Sequence, residues 1–420
     1  MFSYHELNLN KLKKIGGVTT KVEIFKGRDL TPPFVATLKV EVPAITLTIE
    51  YDKKISLTTL VFIVLEIARI LLKHILEEIN EMLVEEYCGK RYERGKEYRN
   101  GYRKRTIVTL LGEVTLNLRR IRGKGIPLYD LIEFEQRRKY QSDVKAISVD
   151  SALRMTYRDA RDEINRFTSS PSHQTIWRYT QELGEKIGRE FKANIYFAED
   201  STKLHSWNGK MELTIFEGEN VVVRVGREER IGMEKELNLI ALGDADKKLK
   251  VKERQIDLIH VWREVNYKLW QHNVDLKTRK KYVNEVKGIL LRLKNSIDEL
   301  TEEKIEEVEK ALNEFVEEMD SNGFWRVSRF FKKHMKSILL FAYKKLEGMS
   351  IPWHNNRMER KMGEISKRMK NKWMKWSDRG AENLASLLMK MRFEKDVYES
   401  FIVEVMKLDK DIRWGVNLHP

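Results

Sequence analysis

Five short apolar runs lie between residues 194 and 260, with long helical patterns before and after them. The first three, NIYFAED, KMELTIFEG and NVVVRVG, are separated by asparagine and glycine residues typical of tight turns. They predict an antiparallel meander. Two further runs, LNLIALGD and QIDLIH, end at Asp244 and His260. Strands that are followed by helices predict an α/β core built on a sheet.

Two aspartates lie at the ends of these runs. Asp200 ends the first run and Asp244 ends the fourth. In open α/β sheets, ligands bind at the carboxyl ends of strands. We therefore expect Asp200 and Asp244 to converge at one edge of the sheet. Asp246, two residues further on, competes with Asp244 for this position.

A third carboxylate, Glu359, lies in a strongly basic helical pattern. After Pro352, either Asn355 or Asn356 is the predicted N-cap, and nine basic residues follow between Arg357 and Arg379. Phosphodiester chemistry uses two Mg²⁺ ions, one for the attacking oxygen and one for the leaving oxygen. Carboxylates are the ligands that Mg²⁺ prefers. Three carboxylates can hold such a pair of ions, with Mn²⁺ as a substitute, and the Arg357 and Arg360 cations beside Glu359 suit a phosphate backbone.

The charge balance indicates a polyanionic partner. Lysine and arginine number 79 against 64 acidic residues, for a net charge of +15. Nucleic acid and an anionic membrane surface both fit this charge. The cations are interleaved with tyrosine and tryptophan and do not follow one amphipathic helix, which disfavours the membrane. The apolar stretch from Ile55 to Leu65 is too short to span a bilayer.

The sequence also predicts the cellular location. The N-terminus lacks a secretory signal pattern, so we expect a cytoplasmic, nucleoid-associated protein. A single cysteine, Cys88, excludes a disulfide within the chain and a cysteine-cluster zinc site.

Residues 90–105 form a basic tract with eight arginines and lysines and three interleaved tyrosines. An alternating run with a turn at Gly112 follows, which predicts a hairpin. The tract is typical of a DNA arm that contacts phosphates through Arg103, Lys104 and Arg105. An ordinary solvated loop is the alternative.

Residues 144–187 contain two helical patterns separated by the polar break TSSPS. Ser172 is the predicted N-cap of the second helix. Gln174, Thr175 and Arg178 would then project from its first turns, where a helix-turn-helix unit reads DNA. A plain helical hairpin that packs as core is the alternative.

The remaining patterns outline the domain organisation. A strand-rich piece covers 19–51, a long amphipathic helix runs from Thr58 to Tyr87, and a helix with an acidic outer face lies within 298–320. We predict six segments: 1–55 strand-rich; 56–143 long helix, basic tract and hairpin; 144–190 helix-turn-helix-like; 191–262 first part of the core; 263–350 all-helical insertion; 351–420 C-terminal helices carrying the glutamate.

The order of these elements resembles the RNase H fold of DDE transposases. The motifs are similar to those of the Mutator-like group of prokaryotic insertion-sequence transposases, in which an all-helical insertion precedes the glutamate. Asp200-Ser201-Thr202 resembles that family's first aspartate, Gly243-Asp244 its second, and Asn356 through Glu359-Arg360 its asparagine-then-glutamate block.

The chain departs from the family pattern at three places. Ser201 and Ala245 stand where glycine is common, and the family's Cys-x-x-His pair is represented by Asp257-Leu258-Ile259-His260. By the resemblance, His260 acts near the active site or positions DNA. A structural histidine at a strand end is the alternative.

The resemblance implies an α+β, multidomain protein with an RNase H-like core. It implies a DNA transposase that binds the terminal inverted repeats of an insertion sequence and catalyses Mg²⁺-dependent cleavage and strand transfer into target DNA. Because two element ends are paired, we expect a homodimer or a larger assembly. Two alternatives stay open: a non-catalytic DNA-binding protein, such as a regulator or a domesticated transposase, and an RNase H-like nuclease such as a junction resolvase.

Overall fold

The computed structural model divides into two compact units, residues 1–180 with 402–420 and residues 181–401. The residues that it describes are 21–26, 36–41, 56–88, 98–135, 137–237, 239–245, 251, 253–371 and 373–408. Within these ranges, helices and strands both contribute, and the strands form three sheets. The fold is therefore mixed α and β in more than one unit, which agrees with the predicted α+β, multidomain class.

The first unit begins with a two-stranded antiparallel sheet. Strand β1 is Lys21–Lys26 and strand β2 is Ala36–Glu41. They account for two of the three strand-like runs predicted in the N-terminal piece. The third run, residues 45–51, lies outside the described residues.

A long helix packs on a hairpin in the middle of this unit. Helix α1 is Leu57–Cys88, strand β3 is Arg99–Thr109 and strand β4 is Gly112–Ile121. Alternate residues of β4 are buried against the last turns of α1, which is the period expected of a strand with one covered face. The backbone of Gly112 has a φ of +118°, so the predicted turn requires glycine there. The predicted helix and hairpin are confirmed, while residues 90–97 of the basic tract lie outside the described residues.

Four shorter helices follow in the first unit: α2 (Leu128–Leu131), α3 (Ser142–Arg154), α4 (Tyr157–Ile164) and α5 (His173–Lys186). The prediction of one helix from Val144 to Phe167 is wrong, because the chain is extended at Thr156, whose side chain accepts the backbone N–H of Asp159 at 3.2 Å and starts α4. Ser172 caps α5 as predicted, through the N–H of Thr175 at 3.2 Å.

The second unit is built on a five-stranded sheet. The strands are β5 (Tyr196–Ser206), β6 (Gly209–Glu217), β7 (Val221–Val225), β8 (Ile240–Gly243) and β9 (Glu253–Ile256), with helix α6 (Arg227–Leu237) between β7 and β8. Their spatial order is β7-β6-β5-β8-β9. The first three strands are antiparallel, so the predicted meander is confirmed, and β8 and β9 run parallel to β5. Helix α6 packs on the face that carries Phe197 and Phe216.

Helices make up the rest of this unit. They are α7 (Leu258–Trp270), α8 (Leu276–Asn295), α9 (Glu302–Ser321), α10 (Trp325–Leu346), α11 (Asn356–Met369), α12 (Asp378–Phe393) and α13 (Lys395–Val405). Helices α7 to α10 share one apolar core, and α9 buries Ile305, Leu312 and Met319 as its period predicted. Helix α11 packs on β5 and β6.

The boundary between the two units falls within α5 and again within α13. Of the helices in the described part of the chain, none is sufficiently long and apolar to cross a bilayer.

Candidate functional site

Asp200 lies on β5, the central strand of the five-stranded sheet. The prediction that the strand ends at Asp200 is wrong, because β5 continues to Ser206 and pairs with β6 as far as Gly209. Parallel pairing with β8 ends earlier, at Ala198 and Leu242. Asp200 therefore lies just past the point at which β8 leaves β5, and its side chain is partly exposed there.

Asp244 directly follows Gly243, the last residue of β8, as predicted. Its Oδ1 atom lies 2.8 Å from Nδ1 of His260. The sequence predicts His260 at a strand end, but it lies in the first turn of α7. The helix starts there because the carboxylate of Asp257 accepts the N–H of Ile259 at 2.8 Å.

Glu359 lies in the first turn of α11, and its Oε1 atom is 2.9 Å from Nη1 of Arg263. Arg263 follows His260 by one turn of α7, so this helix presents a cationic or protonatable side chain to each of two carboxylates. The Arg263 and Glu359 side chains are 58% and 44% exposed. Solvent screening limits such a pair to about 0–1 kcal/mol.

The carboxylates of Asp200, Asp244 and Glu359, with His260 and Arg263, form what we term the edge cluster. Burial of Asp200 raises its pKa, and the negative charges of Asp244 and Glu359 raise it further, to about 6. The N–H of Ser201 and the charge of His260 act in the opposite direction. Asp200 and Asp244 each lie two residues past the last parallel pair of β5 and β8, Ala198 with Leu242. The segments that carry these two aspartates are therefore neighbours, and the charge of Glu359 acts on Asp200.

His260 partly balances this negative charge. Its hydrogen bond to Asp244 raises its pKa above the ordinary value, and burial opposes that rise. A protonated His260 would neutralise Asp244, and its charge also lowers the pKa of Asp200. Among the described residues, the edge cluster therefore sets three carboxylates against the side chains of His260 and Arg263.

A divalent cation would find suitable donors in the edge cluster. Carboxylate oxygens are the ligands that Mg²⁺ prefers, and their mutual repulsion is what a cation would relieve. In the described part of the chain, no three acidic, histidine or cysteine side chains lie close enough to hold one ion. Asp244 and Glu359 contact His260 and Arg263 instead. The donor set fits Mg²⁺ in its chemistry, and these two carboxylates would exchange partners to bind it. Asp246, the alternative to Asp244, lies outside the described residues.

A second group of carboxylates, which we term the buried cluster, surrounds Arg230 of α6. Its guanidinium contacts Glu199 at 3.3 Å, Glu212 at 2.7 Å and Glu234 at 2.7 Å. Burial raises the pKa of Glu199 to about 8, against the opposing charge of Arg230. The sequence interpretation missed this cluster. Its only local signal is the four-residue spacing of Arg230 and Glu234 on one helix.

The predicted DNA-contacting residues of the basic tract lie on strand β3, not in a loop. Arg103 and Lys104 are exposed. Arg105 is half-buried, donates to the carbonyl of Glu135 at 2.9 Å and lies over the rings of Tyr129 and Phe134. Its contacts within the fold make it a poorer candidate for DNA than its two neighbours.

The other predicted DNA-contacting residues lie on two helices. Gln174 and Arg178 are exposed on the first turns of α5, and Thr175 is half-buried with its hydroxyl 3.0 Å from that of Ser172. Arg357 and Arg360 are exposed on α11, next to Glu359. These four side chains are accessible to a phosphate backbone.

Comparison with known proteins places part of this chain in a family. Residues 54–202 match the model of an uncharacterised protein family, UPF0236. They include α1, the β3–β4 hairpin, helices α2 to α5 and the part of β5 that carries Asp200. An uncharacterized protein of Archaeoglobus fulgidus is 35% identical over 97 residues, which are 23% of this chain and 97% of that protein. The match thus spans nearly the whole archaeal relative, and the chain belongs to the uncharacterised protein family UPF0236.

Proposed function

We propose that this chain is a DNA transposase similar to the Mutator-like DDE group, and that Asp200, Asp244 and Glu359 are its catalytic carboxylates. The observation that carries the proposal is the edge cluster: Asp200 on β5 and Asp244 after β8 lie at matching positions past the last parallel pair of these strands, and the charge of Glu359 on α11 reaches Asp200. The cluster lies at the carboxyl end of β8, beside the point at which β8 leaves β5, and α/β sheets bind ligands at such strand ends.

The topology of the second unit supports an RNase H-like core. Three antiparallel strands and two parallel ones are arranged as β7-β6-β5-β8-β9. Four helices, α7 to α10, lie in sequence between Asp244 and Glu359 and share their own core. This arrangement is what an RNase H-like sheet interrupted by an all-helical insertion requires.

The side chains have separate tasks in the proposed reaction. Two Mg²⁺ ions, or Mn²⁺ in their place, would activate the attacking oxygen and stabilise the leaving oxygen. Asp200 is the most firmly held ligand, since it lies on a central strand, while Glu359 is exposed and able to change partner. Arg357 and Arg360 set positive charge beside Glu359, where the DNA backbone would lie. Attack by water would release a 3′-hydroxyl, which then attacks target DNA in the same site.

The first unit supplies the proposed contacts to the terminal inverted repeats. Arg103 and Lys104 on β3, and Gln174 and Arg178 on α5, are exposed polar side chains on regular elements. Pairing two element ends calls for a homodimer or a larger assembly. Such a protein would work in the cytoplasm, on the nucleoid.

One observation favours a second candidate, a DNA-binding protein without catalysis. Asp244 and Glu359 pair with His260 and Arg263, an arrangement that a non-catalytic descendant would also tolerate. That protein would retain the exposed cations but would not need the three carboxylates together. A hydrolytic nuclease of the resolvase kind would need them but would not join strands.

The deciding experiment is Mg²⁺-dependent cleavage and strand transfer on labelled DNA that carries the element's own ends. Asp200→Asn, Asp244→Asn and Glu359→Gln should each slow cleavage on the order of 1,000-fold, since the ions supply several kcal/mol at the transition state. Glu364→Gln is the matched control, because Glu364 is on the same helix and pairs with Lys367. Asp246→Asn should remain active if Asp244 is the ligand.

The outcomes separate the candidates. Loss of cleavage in the three variants, with DNA binding in EDTA unchanged, supports the transposase. If the parent protein binds the element ends but never cuts them, the result supports the non-catalytic DNA-binding protein. If it cuts DNA but does not join strands, the result supports the nuclease.

The DNA-binding surface has its own test. Arg103→Ala and Lys104→Ala should each lower the slope of log affinity against log salt by about 0.9, the change expected per phosphate contact on duplex DNA. Arg105→Ala should leave the slope unchanged, because Arg105 is engaged within the fold. If all three variants show the same slope of log affinity against log salt, β3 is not part of the DNA-binding surface.

A further inference from the structure

Two buried polar residues, Asp257 and Asn355, join the starts of α7 and α11. They are 1% and 7% exposed. Oδ1 of Asp257 accepts the N–H of Ile259 at 2.8 Å, and Oδ2 accepts the N–H of Asn355 at 3.0 Å. In the same place, the N–H of Leu258 donates to the carbonyl of Trp353 at 3.1 Å. The carboxylate of Asp257 thus ties together two helix starts that are far apart in sequence.

The side chain of Asn355 reaches the strand that carries Asp200. Its Nδ2 atom donates to the carbonyl of Glu199, the preceding residue, at 3.2 Å. Strand β8 pairs with β5 only up to Ala198, and Gly243 passes so close that an added Cβ would lie 3.1 Å from this carbonyl. Where β8 ends, the amide of Asn355 therefore takes the place of a sheet partner.

The same pair contacts the main chain of the two other carboxylate residues. The N–H of Asp257 donates to the carbonyl of Gly243, which precedes Asp244, at 3.1 Å. The N–H of Glu359 donates to the carbonyl of Asn355 at 3.4 Å. Each of the three carboxylates is therefore at most one residue from a hydrogen bond to Asp257 or Asn355.

We infer that Asp257 and Asn355 are positioning residues that set the relative placement of Asp200, Asp244 and Glu359 for a divalent cation; this rests on the proposed function. A metal site needs its ligands held within about 0.5 Å of the working geometry. Hydrogen bonds in a buried place are well suited to that task, because leaving a buried partner unpaired is costly. We term the two residues the hub.

The test compares two isosteric changes of buried amides. Asn355→Asp puts an oxygen in place of the Nδ2 donor, facing the carbonyl of Glu199. The matched control is Gln255→Glu. Gln255 is fully buried, donates to the carbonyls of Ile256 and Ile338 at 2.7 and 3.1 Å, and accepts the N–H of Phe341. Both changes oppose a carbonyl with an oxygen, but of the two side chains only that of Asn355 hydrogen-bonds to a residue next to one of the three carboxylates.

The first readout is Mn²⁺ binding by the full chain, followed by electron paramagnetic resonance. Loss of an outer-shell partner typically weakens metal binding about 10–100-fold. We expect that loss for Asn355→Asp, and a change of less than about twofold for Gln255→Glu. Asn355→Asp binding Mn²⁺ as tightly as the parent, or Gln255→Glu losing as much, would overturn the inference.

The second readout needs no metal: amide hydrogen exchange of the metal-free protein. Asn355→Asp should speed exchange at the starts of both α7 and α11, including the amides of Asp257 and Glu359. Gln255→Glu should speed exchange near Phe341 instead. If the parent binds no Mn²⁺, the metal site of the proposed function fails, and exchange alone decides the hub. No joint increase at the two helix starts would then overturn it.

A milder pair of variants covers the case in which either acidic variant does not fold. Asn355→Ala removes the bond to Glu199 and leaves the main-chain bonds of the hub, and Gln255→Ala is its control. The same two readouts apply, with the same outcomes for and against the hub.

Discussion

Glu199 and Asp200 are neighbours on β5, yet they belong to clusters of opposite character. Successive strand residues face opposite sides of a sheet. Glu199 joins the buried cluster, in which Arg230 contacts three carboxylates and its own side chain is 7% exposed. Asp200 belongs to the edge cluster, in which His260 contacts Asp244 and Arg263 contacts Glu359.

The difference lies in where the neutralising charge sits. In the buried cluster, an internal arginine contacts all three carboxylates, and burial raises the pKa of Glu199 to about 8, so that this carboxyl keeps its proton at neutral pH. In the edge cluster, burial of Asp200 and the negative charges of Asp244 and Glu359 raise the pKa of Asp200 to about 6, against the charge of His260. The carboxylates of the buried cluster already surround a central cation, whereas Asp244 and Glu359 of the edge cluster are close to solvent and would be able to exchange His260 and Arg263 for an ion.

The largest expected effect compares the two arginines. Arg230→Met should lower the free energy of unfolding by about 3–5 kcal/mol, because it leaves buried carboxylates without a partner. Arg263→Met should lower it by less than about 1 kcal/mol, since its pair is exposed. Urea denaturation of both variants in metal-free buffer measures this. Similar losses of unfolding free energy in the two variants would contradict the proposed difference between the buried cluster and the edge cluster.

A smaller effect concerns Asp200 and pH. Its carboxyl pKa is about 6 in the folded chain, above the ordinary 3.8, so the folded state binds the proton more tightly than the unfolded state. The stabilisation from that proton is complete below pH 3.8 and is lost as the pH rises through 6. Asp200→Asn should therefore stabilise the metal-free protein at pH 8 by about 1–2 kcal/mol, after allowance for solvent.

The matched measurement repeats the urea titration at pH 4, where the advantage of Asp200→Asn should vanish. Asp298→Asn, at an exposed aspartate outside both clusters, is the control. A variant that is no more stable than the parent at pH 8 would mean that the edge cluster carries no excess charge.

The smallest effect sharpens the role of Arg263. Its charge competes with a divalent ion for Glu359, and a unit charge at this range in water contributes about 1 kcal/mol. Arg263→Gln should therefore tighten Mn²⁺ binding about fivefold. Arg329→Gln, which removes an exposed arginine of α10, should change it much less. Weaker Mn²⁺ binding by Arg263→Gln would instead mean that Arg263 helps to position the ligands of the ion.

The sequence determined the elements whose signals are local. Alternation predicted β5 to β7, the period of apolar residues predicted the buried stripe of α9, and Ser172 marked the start of α5. These features depend on neighbours within a few residues, so one sequence suffices to find them. It also singled out Asp200, Asp244 and Glu359 as catalytic carboxylates, which stays a prediction.

Local patterns were misleading where a competing contact decided the outcome. Asp200 was expected at a strand end, but pairing with β6 carries β5 on to Ser206. His260 was expected on a strand, but capping by Asp257 starts α7 before it. One helix was expected across Thr156, whose capping hydroxyl divides it.

Only the tertiary structure decided which carboxylates contact Arg230 and which contact His260 and Arg263. The hub joins Asp257 to Asn355 and Asn355 to Glu199 across 98 and 156 positions. The Arg263–Glu359 pair spans 96 positions. No periodicity encodes contacts at such separations, because they depend on how the sheet and its helices pack. The sequence supplied the acidic side chains of both clusters, and packing alone placed Glu199 against Arg230 and its neighbour Asp200 on the opposite side of the sheet.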